Sequence, residues 1–149
     1  MPDHIQGLHM IRIIDKVLYT ASTVTTGGRE GSGVSSDGAL DVRLSTPGSN
    51  GTGTNPEQLF AVGYSACFMG AMRRVKTPDG VRVPDDASIQ AEVSLGLAAD
   101  GGFALSAKLH VILPGLSEQQ QWALVDGAHQ LCPYSQATRG NIEVAFTVA

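Results

Sequence analysis

Thr54 to Met72 reads TNPEQLFAVGYSACFMGAM. Asn55 offers an N-cap side chain, Pro56 falls at the first helical position, and Gln58 stands three residues past the cap. The pattern predicts a helix from Pro56 to about Lys76. Leu59, Phe60, Ala61, Val62, Ala66, Phe68, Met69 and Met72 make it apolar on nearly every side, so it belongs at the centre of the fold. Gly63 and Gly70 each lose about 1 kcal/mol against alanine in a helix interior. That loss points to close approach of another backbone, such as a partner helix.

Upstream, Pro47 to Thr54 (PGSNGTGT) is a glycine-rich loop without the GxxxxGK[ST] of a phosphate loop. Before it, Leu40, Val42 and Leu44 alternate with Asp41 and Arg43, a half-buried strand reached through the Asp37-Gly38 turn. A strand at Gly33–Ser35 and a β-rich run at Val17–Thr25 flank the glycine-framed tip Gly27-Gly28-Arg29-Glu30-Gly31. Residues 1–16 read as a loosely ordered N-terminal extension.

Downstream, Thr77–Asp86 is a linker rich in helix breakers. Ile89, Ala91, Val93, Leu95 and Leu97 alternate, and so do Phe103, Leu105, Ala107, Leu109, Val111 and Leu113 beyond an Asp100-Gly101-Gly102 turn. This is a hairpin with one buried face. Ser117 and Gln120 fit a capping box for a helix through Leu131, a short helix starts at Pro133, and Ile142, Val144, Phe146 and Val148 form a last strand. The order predicts an α+β fold, mostly antiparallel sheet on helices.

At 149 residues and 42% hydrophobic content, one domain with a real core is expected. Two cysteines are too few for a disulfide scaffold. The start MPDHIQGLHMIRIIDK has no basic region followed by an apolar core, and no apolar run approaches a membrane span. A cytoplasmic protein without membrane association is expected. A net charge of −4 with no basic stripe argues against nucleic-acid binding.

The two cysteines, Cys67 and Cys132, carry the chemical question. Cys67 lies in the apolar helix, where a free cysteine often serves as a small hydrophobe. Cys132 precedes Pro133 at a helix start, where unpaired N–H groups favour a thiolate, though it could equally be an inert cap. In a reducing compartment the pair suits a dithiol in which one thiol attacks and the other resolves. A thiol in an apolar helix needs a cation to ionise. Arg29, on its glycine-framed tip, is a candidate, and Glu57 in the first helical turn could hold it. Both could also be solvated surface charges. GYSAC lacks the final glycine of a hydrolase elbow, and His129 with two distant cysteines is a poor zinc set.

TNPEQLFAVGYSACFMGAM together with CPYSQATRGN (Cys132–Asn141) resembles the organic hydroperoxide resistance branch of the OsmC/Ohr family, and LYTASTVTTGGREG and VSSDGALDVRLSTPG resemble its N-terminal hairpin. The resemblance implies an intertwined homodimer with long central helices wrapped by antiparallel sheets. It implies a thiol peroxidase that reduces organic hydroperoxides to alcohols. Cys67 matches the peroxidatic cysteine, Cys132 the resolving cysteine, Arg29 the thiolate-stabilising arginine and Glu57 its carboxylate partner. No bound cofactor or metal is implied; the reductant is an external dithiol, dihydrolipoamide or a lipoylated protein. Phe60, Phe68 and Met69 would line the pocket for apolar peroxides, although each could be plain core.

Glu57 and Cys67 are ten residues apart, about 15 Å along one straight helix. That separation predicts a site completed across the dimer, Glu57 of one subunit serving Cys67 of the other. Two rival classes stand beside the peroxidase. A disulfide reductase or redox sensor would be expected to carry CxxC, which is absent. A non-catalytic module with an apolar pocket would not need Cys67.

Overall fold

A computed structural model describes residues 11–149. The first ten residues of the expected N-terminal extension lie outside the described residues. Strand β1 (Thr23–Thr26), β2 (Ser32–Ser35) and β3 (Asp41–Arg43) form one antiparallel sheet in that order. Helix α1 (Pro56–Met72) follows. Strands β4 (Ser88–Leu97) and β5 (Phe103–Ile112) make the long hairpin, in register from Ser88 opposite Ile112 to Leu97 opposite Phe103. Helices α2 (Glu118–Leu131) and α3 (Pro133–Thr138) lead to β6 (Glu143–Val148).

Local chemistry sets the helix ends. Asn55 Oδ1 accepts from the Gln58 N–H at 2.9 Å with Pro56 behind it. Ser117 and Gln120 close a reciprocal capping box on α2. At its other end α1 stops at Met72, four residues before the expected Lys76. There Arg74 N bonds Ala71 O and Val75 N bonds Met72 O, so the helix tightens to i→i−3 bonds and ends.

The core is one cluster. Tyr64, Phe68, Ala71 and Met72 of α1 meet Ala107, Leu109 and Val111 of β5, and Leu124, Val125 and Ala128 of α2. The period of two on β5 and of three to four on the helices is what the alternation in sequence required.

Three expectations need correction. β6 pairs with β5 in parallel, from Ser106 opposite Glu143 to Val111 opposite Val148. The connection through α2 and α3 crosses over and returns in the same direction, which forces a parallel pair. The β-rich run from Val17 does not form a strand before Thr23, because the four-residue β2 pairs only Thr23–Thr26. And α1 is buried on one side only: Val62, Ala66 and Gly70 face outward, with Val62 70% exposed. Among the described residues nothing beyond the helix's own neighbouring backbone lies within 4 Å of a Cβ built on Gly70, and at Gly63 the close neighbour is the Tyr134 hydroxyl at 3.1 Å rather than a backbone. The described residues cover only one face of this helix.

Gly127 shows how tightly α2 sits on the segment after α1. A Cβ there would lie 2.6 Å from Val75 Cγ1, and a β-branched side chain has little freedom to yield. Gly127→Ala should therefore destabilise by about 1–3 kcal/mol, although alanine is the better helix former by about 1 kcal/mol. In a Val75→Ala background the same change should stabilise. Chemical denaturation of the four proteins of this cycle checks both signs.

Candidate active site

The two sulfurs meet. Cys132 Sγ lies 3.5 Å from Cys67 Sγ, and both thiols are free. Cys67 is placed on the flank of α1, between the buried Tyr64 and Phe68. Cys132 caps two helices at once, ending α2 and beginning α3 with φ −66° and ψ 124°. Its N–H bonds Ala128 O at 2.8 Å and its carbonyl accepts from Gln136 N at 2.9 Å. Its side chain makes no capping bond, which leaves the fully buried thiol to face Cys67.

Burial pushes the Cys67 thiol above its ordinary value. A bond from the Tyr134 backbone pulls it down, and the neighbouring Cys132 pushes it up again. Pro133 has no N–H, so the first free donor of α3 belongs to Tyr134. The helix start expected to favour a thiolate at Cys132 thus serves Cys67 instead.

Arg29 and Glu57 also meet, at the opening turn of α1. Arg29 Nη1 donates to Glu57 Oε2 at 3.0 Å and Nη2 to Oε1 at 2.8 Å. Gly27 (φ 75°) and Gly28 (φ 59°) bend the chain into a one-turn 3-10 helix that projects Arg29. A Cβ on Gly31 would strike the Thr26 carbonyl oxygen at 1.8 Å. The bond to Arg29 holds the Glu57 carboxyl below its usual range, and the same bond raises Arg29. With the Arg29 side chain 44% exposed, the pair adds little stability; its effect is to fix a guanidinium in a bidentate geometry.

The structure does not bring the two pairs together within one chain. Glu57 and Cys67 lie ten residues apart on an unbroken helix, and the influences on Cys67 include no cation. An open groove beside the ion pair is lined by Arg29, Pro47, Glu57, Gln58, Ala61 and Val93. The three apolar residues expected beside the thiol lie on the α1 turns around Cys67 rather than in this groove. Phe68 is fully buried and stacks on Phe146 with centroids 4.9 Å apart, because its helical phase aims it into the core. Phe60 packs against the rings of Tyr64 and Tyr134, at 5.9 Å from each. Met69 is half-buried against the core.

Sequence reading missed the polar residues beneath the sulfurs. Tyr64 Oη lies 2.8 Å from Ser135 Oγ and 3.2 Å from Thr138 Oγ1. Ser135 Oγ lies 2.8 Å from His129 Nδ1. The CPYS motif signalled only Ser135; Tyr64, His129 and Thr138 fall outside it. Among the described residues no group of three or more His, Cys, Asp or Glu could hold a metal ion, and no helix is long and apolar enough to cross a membrane.

A sulfur pair on a helix junction and a helix packed on a mixed sheet define an α+β thiol protein of one architecture. Residues 48–147 match the OsmC-like protein family. The chain is 53% identical over 139 residues to the organic hydroperoxide resistance protein of Xanthomonas axonopodis pv. citri (strain 306), covering 91% of this chain and 97% of that one. It is 44% identical over 131 residues to OhrB of Bacillus subtilis (strain 168), covering 85% and 95%. The crystal structure of Bacillus subtilis OhrB superposes with a TM-score of 0.82 at 42% identity, over 89% of this chain and all of that one. The chain belongs to the OsmC-like family, in its organic hydroperoxide resistance branch.

His129 supplies a test of the buried network. Burial lowers its pKa, Arg139 adds to the lowering, and Asp126 opposes it. A histidine depressed in the folded state binds its proton more readily when unfolded. Stability is then fully present above the unfolded value of about 6.5 and is lost as pH falls below it. Carboxylates titrate lower, near pH 4. Melting temperature should drop between pH 7.5 and 5.5 in the wild type and flatten in His129→Gln, measured by thermal denaturation at fixed ionic strength.

Proposed function

We propose that the protein is a thiol-dependent peroxidase that reduces organic hydroperoxides, acting in organic peroxide detoxification. The observation that carries this reading is the 3.5 Å approach of Cys67 and Cys132 in a chain so similar to proteins named for organic hydroperoxide resistance. The Cys67 thiolate attacks the distal peroxide oxygen, the O–O bond breaks, and the alkoxide leaves as an alcohol after taking a proton. Cys67 is now a sulfenic acid. The Cys132 thiol attacks it, forms the disulfide and releases water. An external dithiol of the lipoamide type reopens the disulfide by exchange and leaves as its own cyclic disulfide. No bound cofactor takes part. Apolar alkyl or aryl peroxides suit the aromatic surroundings of Cys67, where Phe60, Tyr64 and Tyr134 cluster.

The thiolate needs a cation that its own chain does not place beside it. The outward face of α1 at Val62, Ala66 and Gly70 supports an intertwined homodimer in which a second copy covers that face. So does the apolar segment of Ile13, Val17, Leu18 and Tyr19, which is 64–88% exposed. In this reading Arg29 and Glu57 of one subunit serve Cys67 of the other. Arg29 then favours the thiolate and stabilises charge on the leaving alkoxide.

Cumene hydroperoxide consumption with dihydrolipoamide tests the chemistry. Wild type should turn over, Cys67→Ser should be inactive, and Cys132→Ser should give a single turnover without sustained cycling. Wild type that keeps Cys67 reduced in excess peroxide would return the protein to the class of non-catalytic binding modules.

Complementation tests the shared site. Cys67→Ser and Arg29→Gln proteins, each inactive alone, should regain activity when unfolded, mixed and refolded together. One mixed-dimer site then combines an intact Cys67 with an intact Arg29 and Glu57. A site contained in one chain gives no recovery.

A further inference from the structure

The peroxidase steps leave Tyr64, His129, Ser135 and Thr138 without a role, yet these four form one chain of hydrogen bonds that runs from the buried Tyr64, Ser135 and Thr138 to the half-buried His129. Tyr64 and Ser135 are fully buried. Tyr64 stands three residues before Cys67, His129 three before Cys132, and Ser135 three after it. Three residues make about one helical turn, so each lies one turn from a sulfur. Tyr64 belongs to α1, His129 to α2, and Ser135 and Thr138 to α3. The chain therefore ties together the three helices that carry or flank the two thiols.

Its proton inventory closes. With the His129 proton on Nε2, Nδ1 accepts from Ser135, and Ser135 Oγ accepts from Tyr64 across 2.8 Å contacts. Thr138 Oγ1 donates to Tyr64 Oη at 3.2 Å or to Ser135 O at 3.4 Å. Removing the Ser135 hydroxyl leaves the buried Tyr64 Oη and the half-buried His129 Nδ1 without their shared partner, which is costlier than losing an exposed bond. Arg139 adds a clamp from outside, donating to the His129 carbonyl.

The geometry points to Tyr64, Ser135 and His129 as positioning residues that hold Cys132 against Cys67 and so set how readily the pair closes to a disulfide. Closure takes sulfurs at 3.5 Å to a bond of about 2 Å. Two electrons and two protons leave the thiols for a disulfide oxidant. Helices already tied in place lose little freedom in that step. With the tie cut, the thiols meet less often and the disulfide is easier to reduce. The inference rests on the pair being redox-active, as the peroxidase reading holds, but its test needs no peroxide.

The test equilibrates each protein with mixtures of oxidised and reduced dithiothreitol, then counts free thiols by alkylation and intact mass. Ser135→Ala and Tyr64→Phe should each lower the equilibrium constant for disulfide formation about tenfold, a rise in potential of about 30 mV. Leu124→Ala, a buried core change that removes none of these hydrogen bonds, should lose melting temperature yet keep the wild-type constant. Wild-type constants in Ser135→Ala and Tyr64→Phe overturn the inference, and so does an equal shift in Leu124→Ala. Should Ser135→Ala not fold, Tyr64→Phe decides, because it keeps the ring and the Ser135–His129 bond. Wild-type cumene hydroperoxide turnover, measured alongside, separates the two readings. Turnover with unshifted constants overturns the positioning role alone. Shifted constants without turnover overturn the peroxidase alone.

Discussion

Everything in this molecule depends on the rotational phase of α1. Tyr64, Phe68, Ala71 and Met72 fall on one face and are buried against β5 and α2. That choice leaves Cys67 on the flank, one step round from the core, where Cys132 reaches it from the α2–α3 junction. It leaves Val62, Ala66 and Gly70 pointing away from the chain. A rotation of one residue, about 100° on a helix, would bury Cys67 or turn it from Cys132. The large rings of Tyr64 and Phe68 make such a rotation impossible without emptying the core.

The same phase creates an electrostatic problem. A thiol beside aromatic rings is held protonated by burial, and the Tyr134 backbone offsets only part of that. Four residues sit in two ready-made pairs, Cys67 with Cys132 and Arg29 with Glu57, on different turns of the same helix. Glu57 neutralises Arg29 while fixing its fork, and the pair projects into an open groove. Each pair is built within the one chain, and what separates them is ten residues of α1. The sequence separation of Glu57 and Cys67 already stated that distance.

Much of this was legible beforehand because the signals were local. Asn55-Pro56 marked the start of α1, Ser117 with Gln120 marked that of α2, and strict alternation marked β4 and β5. The parallel pairing of β6 was not, since strand direction depends on the path of the crossover rather than on the strand's own residues. The N-terminal run Val17–Ser22 carried strand-like composition without a partner long enough to pair it. The burial of Phe68 against Phe146 was not legible either, because α1 is apolar on nearly every side and hydrophobicity alone could not phase it. The pairing of Arg29 with Glu57 could be raised from chemistry but not distinguished there from two solvated charges, as 28 positions separate them.

The buried network was the least legible part, for a physical reason. Ser, Thr and Tyr hydroxyls carry no periodic signal, and a serine in a short helix reads as surface. Only the packing of α1 over α3 brings Tyr64 to Ser135, 71 positions away. An interior this apolar could have been finished with methyl groups, since replacing both partners of a buried hydrogen bond by apolar groups is often nearly neutral for stability. A chain of directional bonds is instead a device for fixing angles, because hydrogen bonds weaken steeply off line. Its placement one turn from each sulfur puts that rigidity where small displacements matter most. Sulfurs 3.5 Å apart are in contact but not bonded, so a shift of about 1 Å in either helix decides between a bond of about 2 Å and none.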